Sequence, residues 1–462
     1  MASTDLPAPN TFALGRRAAE TMAVLLHRFA PLVARKLAGL SVSEQEFAVA
    51  LRSSLASLGA TYAKLGQLLA SSPTLFGEET AAECRSLLDT GPAVSLRDLQ
   101  STVLRELGRP LGQLFPTFDV APIGSASLAV VHRAVTADGR RVAVKILRPG
   151  IEEAMAADLA VMGPALEMIV GIFGSDIGEP LEEFVRAFRE QVTEELDLRR
   201  EAAVMTRHRL LLEAAGVAAI AIPVSHADLS TRRILTMELL EGVPIDDLAG
   251  IAGLGVDPRP LVEQAIRAWL TTTVRHGTFH GDIHAGNLLV LRDGRLGIVD
   301  WGIEGRLDAE TLGFLRMVLA ASLGDERAWA DVGAWLQRSS GAALTRTVGV
   351  SGDELPEFFR LHIEPLLTRP FGEASLAGLV AGLQRMRLGS SASRGVLSFL
   401  KRAVAARLRG PRRSGGEPGR LDRGLILLGK QLVYFERYGK LFLRDAPLFA
   451  DRELVASLLA ER

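Results

Sequence analysis

The run His280-Gly281-Asp282-Ile283-His284-Ala285-Gly286-Asn287, followed by Gly297-Ile298-Val299-Asp300-Trp301-Gly302, gathers two carboxylates and one amide at a spacing that suits phosphoryl transfer. Asp282 precedes Asn287 by five residues, which places a base and a metal-binding oxygen on one short loop. Asp300 adds a second oxygen ligand. Magnesium takes near-octahedral oxygen ligation and is usually held by one or two protein groups beside phosphates and water, so Asn287 and Asp300 suffice. Asp282 is then the group that orients or deprotonates an acceptor hydroxyl or water, and His280 and His284 read as braces for the loop. Taken singly, these residues read as a polar turn with a helix-capping asparagine. Their combination does not.

Such groups need rigid elements. Leu288 to Leu291 and Leu296 to Val299 are short apolar strands around Asp293-Gly294, a dipeptide that favours a two-residue hairpin turn. That register sets Asn287 directly opposite Asp300, with Cβ atoms roughly 5 Å apart. A second hairpin, Val130 to Val135 and Arg141 to Leu147 around Asp138-Gly139, carries Val142-Ala143-Val144-Lys145. Alternation puts Ala143 and Lys145 on one face, where the lysine can reach the α and β phosphates and the small alanine leaves room for a flat adenine. Upstream, Gly124, Ser125, Ala126 and Ser127 allow close backbone approach to phosphates, in a loop stiffer than one built of glycines. Glu238, in the strand expected from Arg233 to Leu239, and Gly242 stand where backbone groups would hold adenine. One long helix is expected from Glu182 to about Ala215, on which Asp197 and Glu201 share a face while Glu195 and Asp197 point apart. Glu201 is expected to pair with Lys145, leaving Glu195 and Asp197 for a second contact.

Around these parts, residues 1–115 read as helical, with Leu51, Leu55, Leu58, Tyr62, Leu65 and Leu69 at helical intervals until Pro73. Residues 116–245 read as a strand-rich small lobe, and 246–462 as a large lobe that is helical outside the catalytic hairpin. The expected class is α+β, a two-lobed kinase-like fold with an N-terminal helical extension and a helical C-terminal region. With 462 residues, 48% of them hydrophobic, the chain can bury a sizeable core. Its net charge of −1 and the lack of any zinc-finger, homeodomain or RNA-binding aromatic signature argue against nucleic acid as a partner. The single cysteine, Cys84, excludes an intramolecular disulfide and suits a reducing compartment, so the cytoplasm is the expected location. No transmembrane helix is expected, since the longest apolar run, Leu159 to Gly174, is short and contains Glu167. Nothing in the sequence specifies an oligomeric state.

Three further motifs carry a resemblance. Lys64-Leu65-Gly66-Gln67, then Gly124-Ser125-Ala126-Ser127, then Glu195-Leu196-Asp197 precede Asp282, Asn287 and Asp300 in one order, with Lys145 between the second and third. Over roughly residues 50–310 the chain resembles the UbiB (AarF-like) family of atypical kinases, marked by Lys-x-Gly-Gln, an alanine-rich loop and Glu-x-Asp. The resemblance implies that the segment bearing Lys64 and Gln67 folds over the active site and contacts the Glu-x-Asp acids, obstructing the groove in which a protein kinase holds a peptide. It also implies ATP and Mg2+ as cofactors, ATPase or small-molecule kinase activity, a lipid or quinone-precursor ligand, and work at membranes in isoprenoid-quinone metabolism.

The chain departs from that pattern in places. Its loop begins Gly-Ser instead of Ala-Ala, Val130 replaces a glutamine, and Trp301 replaces phenylalanine. Gly281 stands where many protein kinases carry an arginine that senses activation-loop phosphate, which argues against that regulation. The His280 to Asn287 run and Val299-Asp300-Trp301 also resemble aminoglycoside and choline phosphotransferases, an alternative separated by Lys64 to Gln67 and Glu195 to Asp197. A non-enzymatic alternative is a nucleotide-gated scaffold. Between Arg385 and Lys430 twelve Lys or Arg face only Glu417 and Asp422, a basic region suited to an anionic membrane surface, such as the inner face of the plasma membrane.

Overall fold

The computed structural model describes residues 6–7, 9–70, 78–87, 93–173, 188–348, some positions between 356 and 373, 423–447 and 452–460. Two units are present among them: one takes the residues up to Arg200 with Ser225–Leu239, the other Glu201–Val224 and the residues from Leu240 onward.

The first unit opens with α1 (Thr11–Leu37), α2 (Glu44–Leu58), α3 (Ala60–Ala70), α4 (Glu78–Cys84), α5 (Leu96–Leu107) and α6 (Leu111–Leu114). Ser43 starts α2 with a capping box, its hydroxyl accepting from Glu46 N while the Glu46 carboxylate accepts from Ser43 N at 2.9 Å. The leucine periodicity from Leu51 to Leu69 spans two helices, because Gly59 at φ +93° turns the chain between α2 and α3. Gly66 lets α3 approach its neighbours closely, since a Cβ there would meet Leu87 and Leu55. Next come β1 (Thr117–Phe118), β2 (Gly124–Ser125), β3 (Ala129–Val135), β4 (Arg141–Leu147) and α7 (Ile151–Phe173). Thr61 and Arg17 both bond the buried Asp158 of α7, and Arg17 also donates to the Leu58 carbonyl, so one carboxylate ties α1 and α3 to α7.

The β3–β4–β6 core of the first unit, with β6 at Ile234–Glu238, is antiparallel, with β1 and β2 both paired to β3. One face packs Val130, Val142, Val144, Ile146 and Ile234 against Leu99, Val103, Leu114 and Phe115 of the helical layer. Each fully buried aliphatic of this kind contributes about 1.5–3 kcal/mol. The expected strands agree with the observed ones to within a residue. The expected long helix does not: residues 188–195 are helical, the chain breaks at Leu196–Asp197, and α8 (Leu198–Ala214) starts anew. Asp197 causes the break by capping, its Oδ1 accepting from Arg199 N at 3.1 Å. Asp197 and Glu201 therefore do not share a face of one continuous helix.

In the second unit, β5 (Ile220–Ala221) pairs parallel to β10 (Leu296–Ile298), which pairs with β9 (Leu288–Leu291) and then β7 (Gly242–Pro244). A separate two-stranded sheet joins β8 (Thr278–His280) to β11 (Glu304–Arg306). Helices α8, α9 (Leu248–Leu254), α10 (Arg259–His276), α11 (Ala309–Ser322), α12 (Glu326–Val348), α13 (Arg423–Phe442) and α14 (Arg452–Ala460) complete it. Among the described residues no helix is long and apolar enough to cross a membrane. The basic stretch from Arg385 lies outside the described residues as far as residue 422.

Candidate active site

In the second unit the catalytic loop hangs between β8 and β9. His280 is buried and turns its ring along its own loop, Nδ1 accepting from Asp282 N at 3.0 Å while Nε2 faces Val299 O at 3.4 Å. Burial holds its pKa at about 4, against smaller raising effects of Asp282 and Asp300, so the ring is neutral near pH 7. His284 Nδ1 accepts from Gly286 N at 3.1 Å and caps a short turn through Ala285–Asn287. Both histidines brace the loop from inside. Gly281 has a packing reason to be glycine: a Cβ would sit 2.6 Å from Ile303 Cγ2 and 3.0 Å from Ile303 O.

The β9–β10 register corrects the expectation for Asn287. Leu288 faces Ile298, so Asn287 faces Val299 instead of Asp300, and Val299 N donates to Asn287 O at 3.0 Å. The turn is one residue longer than a two-residue loop: Leu291 N bonds Arg295 O at 2.9 Å, and Gly294 takes φ +81°. The β3–β4 hairpin repeats the device, with Thr136 N on Arg140 O at 2.9 Å and Gly139 at φ +86°. Asn287 donates its side-chain N–H to Asp282 O at 2.8 Å, which fixes the amide and aims Oδ1 away from that bond as an acceptor. Asp300, just past Val299, has φ +56°, the one positive φ of a non-glycine among the described residues. Such a left-handed aspartate is strained and uncommon, and here it coincides with the carboxylate the chemistry needs. Asn287 and Asp300 thus offer hard oxygen donors from adjacent strand ends, a set that fits magnesium.

Behind Asp300, Trp301 is buried with its Nε1–H on Ile298 O at 2.9 Å, its ring 4.7 Å from His208 of α8 and 4.5 Å, edge-on, from His280. The Trp301 indole fills the place in which the sequence resemblance expects phenylalanine. Glu304 on β11 receives Arg207 and His208 from α8 and Arg306 from its own strand. Burial alone would raise its pKa, but hydrogen bonds from His208, Arg306 and Arg207 outweigh that and hold it at about 2. Asp282 carries a partner that sequence reasoning missed, Lys430 of α13, whose Nζ lies 2.7 Å from Oδ1. Burial would raise the Asp282 pKa; Lys430, with His284 and His280, brings it below the ordinary value. Tyr438, also on α13, donates to Ile283 O at 2.8 Å. No local spacing could have revealed these two partners.

In the first unit Lys145 is buried on β4, paired in register with Val131 and Leu235. Gly124 and Ser125 form β2, and Ala126 N closes the tip on Ala129 O at 2.9 Å. Arg148, buried and overlooked in the sequence, clamps this loop: Nε and Nη2 donate to Ala126 O at 2.9 and 2.8 Å, and Nη2 to Ser125 Oγ at 2.9 Å. Ser127 is buried beside it. Glu238 ends β6, exposed, opposite Val142. Lys64 on α3 pairs with Glu195 at 2.6 Å, both side chains nearly buried, and Gln67 lies one turn farther along α3. Asp197 is bound by Arg199 at 2.7 Å. Glu201, buried, belongs to the second unit on α8.

Antiparallel strands bearing a buried lysine, and a hairpin bearing the Asp-Asn-Asp set, are the parts of a kinase-like α+β protein. Residues 86–332 match the ABC1 atypical kinase-like domain. The chain therefore belongs to this UbiB/AarF-like family. An uncharacterised protein of Mycobacterium tuberculosis is 34% identical over 89% of this chain and 78% of its own length. An uncharacterised chloroplastic aarF domain-containing protein kinase of Arabidopsis thaliana is 31% identical over 87% of this chain and 73% of its own. A probable protein kinase UbiB of Cellvibrio japonicus is 31% identical over 72% of this chain and 60% of its own.

Proposed function

We propose that this chain is an atypical kinase or ATPase that uses Mg2+ and ATP, in the service of isoprenoid-quinone or other lipid metabolism. The observation that carries the reading is the catalytic loop of the second unit, where Asn287 bonds the Asp282 backbone and the neighbouring strand end, leading directly into Asp300 in a left-handed conformation. Asn287 and Asp300 would hold magnesium, which supplies charge neutralisation on the nucleotide phosphates. Asp282 would aim the attacking hydroxyl or water, Lys145 would supply a cation for the phosphates, and Glu201 is kept as the buried carboxylate of the same reading. Catalysis of this kind is mainly positioning and electrostatics. Gly124, Ser125, Ala126 and Ser127 form the phosphate-facing loop, and Glu238 lies at the adenine-binding strand. The pairing of Lys64 with Glu195 favours a UbiB-type protein, with Gln67 and Asp197 as the other members of its two motifs, over an aminoglycoside- or choline-phosphotransferase-like enzyme. A lipid or quinone precursor as ligand, and attachment to an anionic membrane through the basic stretch from Arg385, belong to the same reading.

Calorimetry of Mg-ATP and Mg-ADP binding tests it. Wild-type protein should bind in a magnesium-dependent manner, and Asp300→Asn should lose that dependence. No binding to the wild type would overturn this reading, and the nucleotide-gated scaffold with it. Failure to co-sediment with anionic liposomes at low salt would remove the membrane part alone.

A further inference from the structure

The catalytic loop and the Asp300 turn bring two acids and an amide to one position, and the loop's own side chains bring little positive charge to them. Gly281 and Ile283 have none, and His284 commits Nδ1 as an acceptor to Gly286 N. The cation arrives from the far end of the chain. Lys430 on α13 places Nζ 2.7 Å from the buried Asp282 Oδ1, while its side chain remains 19% exposed and that of Asp282 23% exposed.

A purely structural tie explains this pair poorly. The helix is already fastened by Tyr438 to Ile283 O at 2.8 Å and by Phe435 packed edge-on against Trp269 at 5.2 Å. Arg437 adds an ion pair to Asp246 at 2.9 Å. Lys430 also lies over the ring of Tyr434, 5.9 Å from its centroid, and that ring stacks with Tyr438 at 6.4 Å. One face of α13 therefore lines the loop and presents a lysine at the carboxylate where transfer chemistry would start. An acceptor oxygen within about 2.6–3.2 Å of either carboxylate oxygen of Asp282 would lie within roughly 8 Å of this ammonium, next to the phosphoryl group under attack.

We propose that Lys430 is a terminal-phosphate contact, shared between the Asp282 carboxylate and the γ-phosphoryl group of Mg-ATP, so that helix α13 distinguishes nucleoside triphosphate from diphosphate. This rests on the nucleotide reading above. Lysine suits the task as a compact point charge on a flexible stem, able to serve carboxylate and phosphate in turn.

The test is calorimetry on the full chain with Mg-AMP-PNP and Mg-ADP, comparing wild type, Lys430→Met, Lys430→Gln and Lys430→Arg, each first checked by circular dichroism. The expected result is a loss of about ten- to hundredfold in AMP-PNP affinity for the Met and Gln variants, with ADP affinity held within about twofold and the Arg variant largely restored. Equal weakening of both nucleotides, or unchanged AMP-PNP affinity, overturns the assignment while leaving the nucleotide reading intact. Loss of fold in both Met and Gln variants makes the lysine a structural tie and also overturns it. Absence of binding to wild type overturns both readings together.

Discussion

The loop from His280 to Asn287 and the loop from Gly124 to Leu128 are both expected to face phosphate, yet they are held in opposite ways. The first is fixed mainly from within: His280 to Asp282 N, His284 to Gly286 N and Asn287 to Asp282 O are bonds between close neighbours in sequence, Val299 N joins Asn287 O across the hairpin, and α13 adds Tyr438 on Ile283 O and Lys430 on Asp282. The second is short, with small side chains, and is clamped from outside by the guanidinium of Arg148. Local, mostly neutral hydrogen bonds set one geometry. A single charged side chain reaching back from the following strand end sets the other. A self-braced loop should resist single changes at its surface and fail when its buried support is removed, whereas a clamped loop should loosen at one residue.

The largest expected effect tests the buried support of the first loop. Trp301→Ala removes an indole that fills the space between His208 and His280 and donates to Ile298 O. Truncating such a buried aromatic costs about 3–5 kcal/mol, to be read from urea unfolding. A cost under about 1 kcal/mol would show that the loop is not supported there.

Acid should act on the same region. The folded-state pKa of His280 lies at about 4 against an ordinary 6.5, so its contribution to stability is complete above the unfolded value and is lost as pH falls through the folded one. Between pH 7 and pH 4 that amounts to about 3 kcal/mol. His280→Gln, though less stable at pH 7, should lose correspondingly less stability over this window than wild type does. Identical pH slopes would mean that the histidine is already charged in the fold. Glu304 adds a lower window: its pKa of about 2 makes its contribution present above the ordinary 4.5 and lost as pH falls toward 2.

The clamped loop makes the contrasting prediction. Arg148→Ala deletes three hydrogen bonds from a buried charged donor to Ser125 and Ala126 and should cost about 2 kcal/mol. Its signature is local: amide exchange should quicken at residues 125–128 while the protection of 281–288 stays unchanged. Arg148→Lys should rescue little, because a point charge cannot span both oxygens as the planar fork does. Equal loosening of the two loops would show that they are held in the same way.

The same contrast explains what could be read without coordinates. Asp282, Asn287, Asp300 and both bracing histidines sit in one local run, so spacing alone exposed them, as alternation exposed Lys145 on β4. The errors were local as well, each of one residue's consequence. A loop one residue longer than Asp293-Gly294 suggests moved Asn287 opposite Val299, and one capping aspartate divided a helix that periodicity ran straight through. Arg148, Lys430 and Tyr438 stayed hidden for a different reason. Their partners lie 22 or more positions away in sequence, and an arginine after a strand or a lysine on an amphipathic helix has no pattern that names its partner.

The ion pair of Lys64 with Glu195 stands between these cases, since the motifs were legible and their contact is seen only in the fold. Removing the pair as a whole should have the smallest stability effect of the series. Both side chains are nearly buried, so Lys64→Met or Glu195→Met alone leaves a charge with poor solvation and should destabilise by about 1–3 kcal/mol. Replacing both with methionine removes the two desolvation penalties along with the attraction, and buried pairs so replaced are often neutral or better. The double variant should therefore unfold within about 1 kcal/mol of wild type, giving a clear coupling in the cycle. A double variant as unstable as the worse single one would make the pair a stability device. Near-wild-type stability with altered Mg-nucleotide binding would instead assign the pair to positioning α3, which stability selection alone would not have required to be charged.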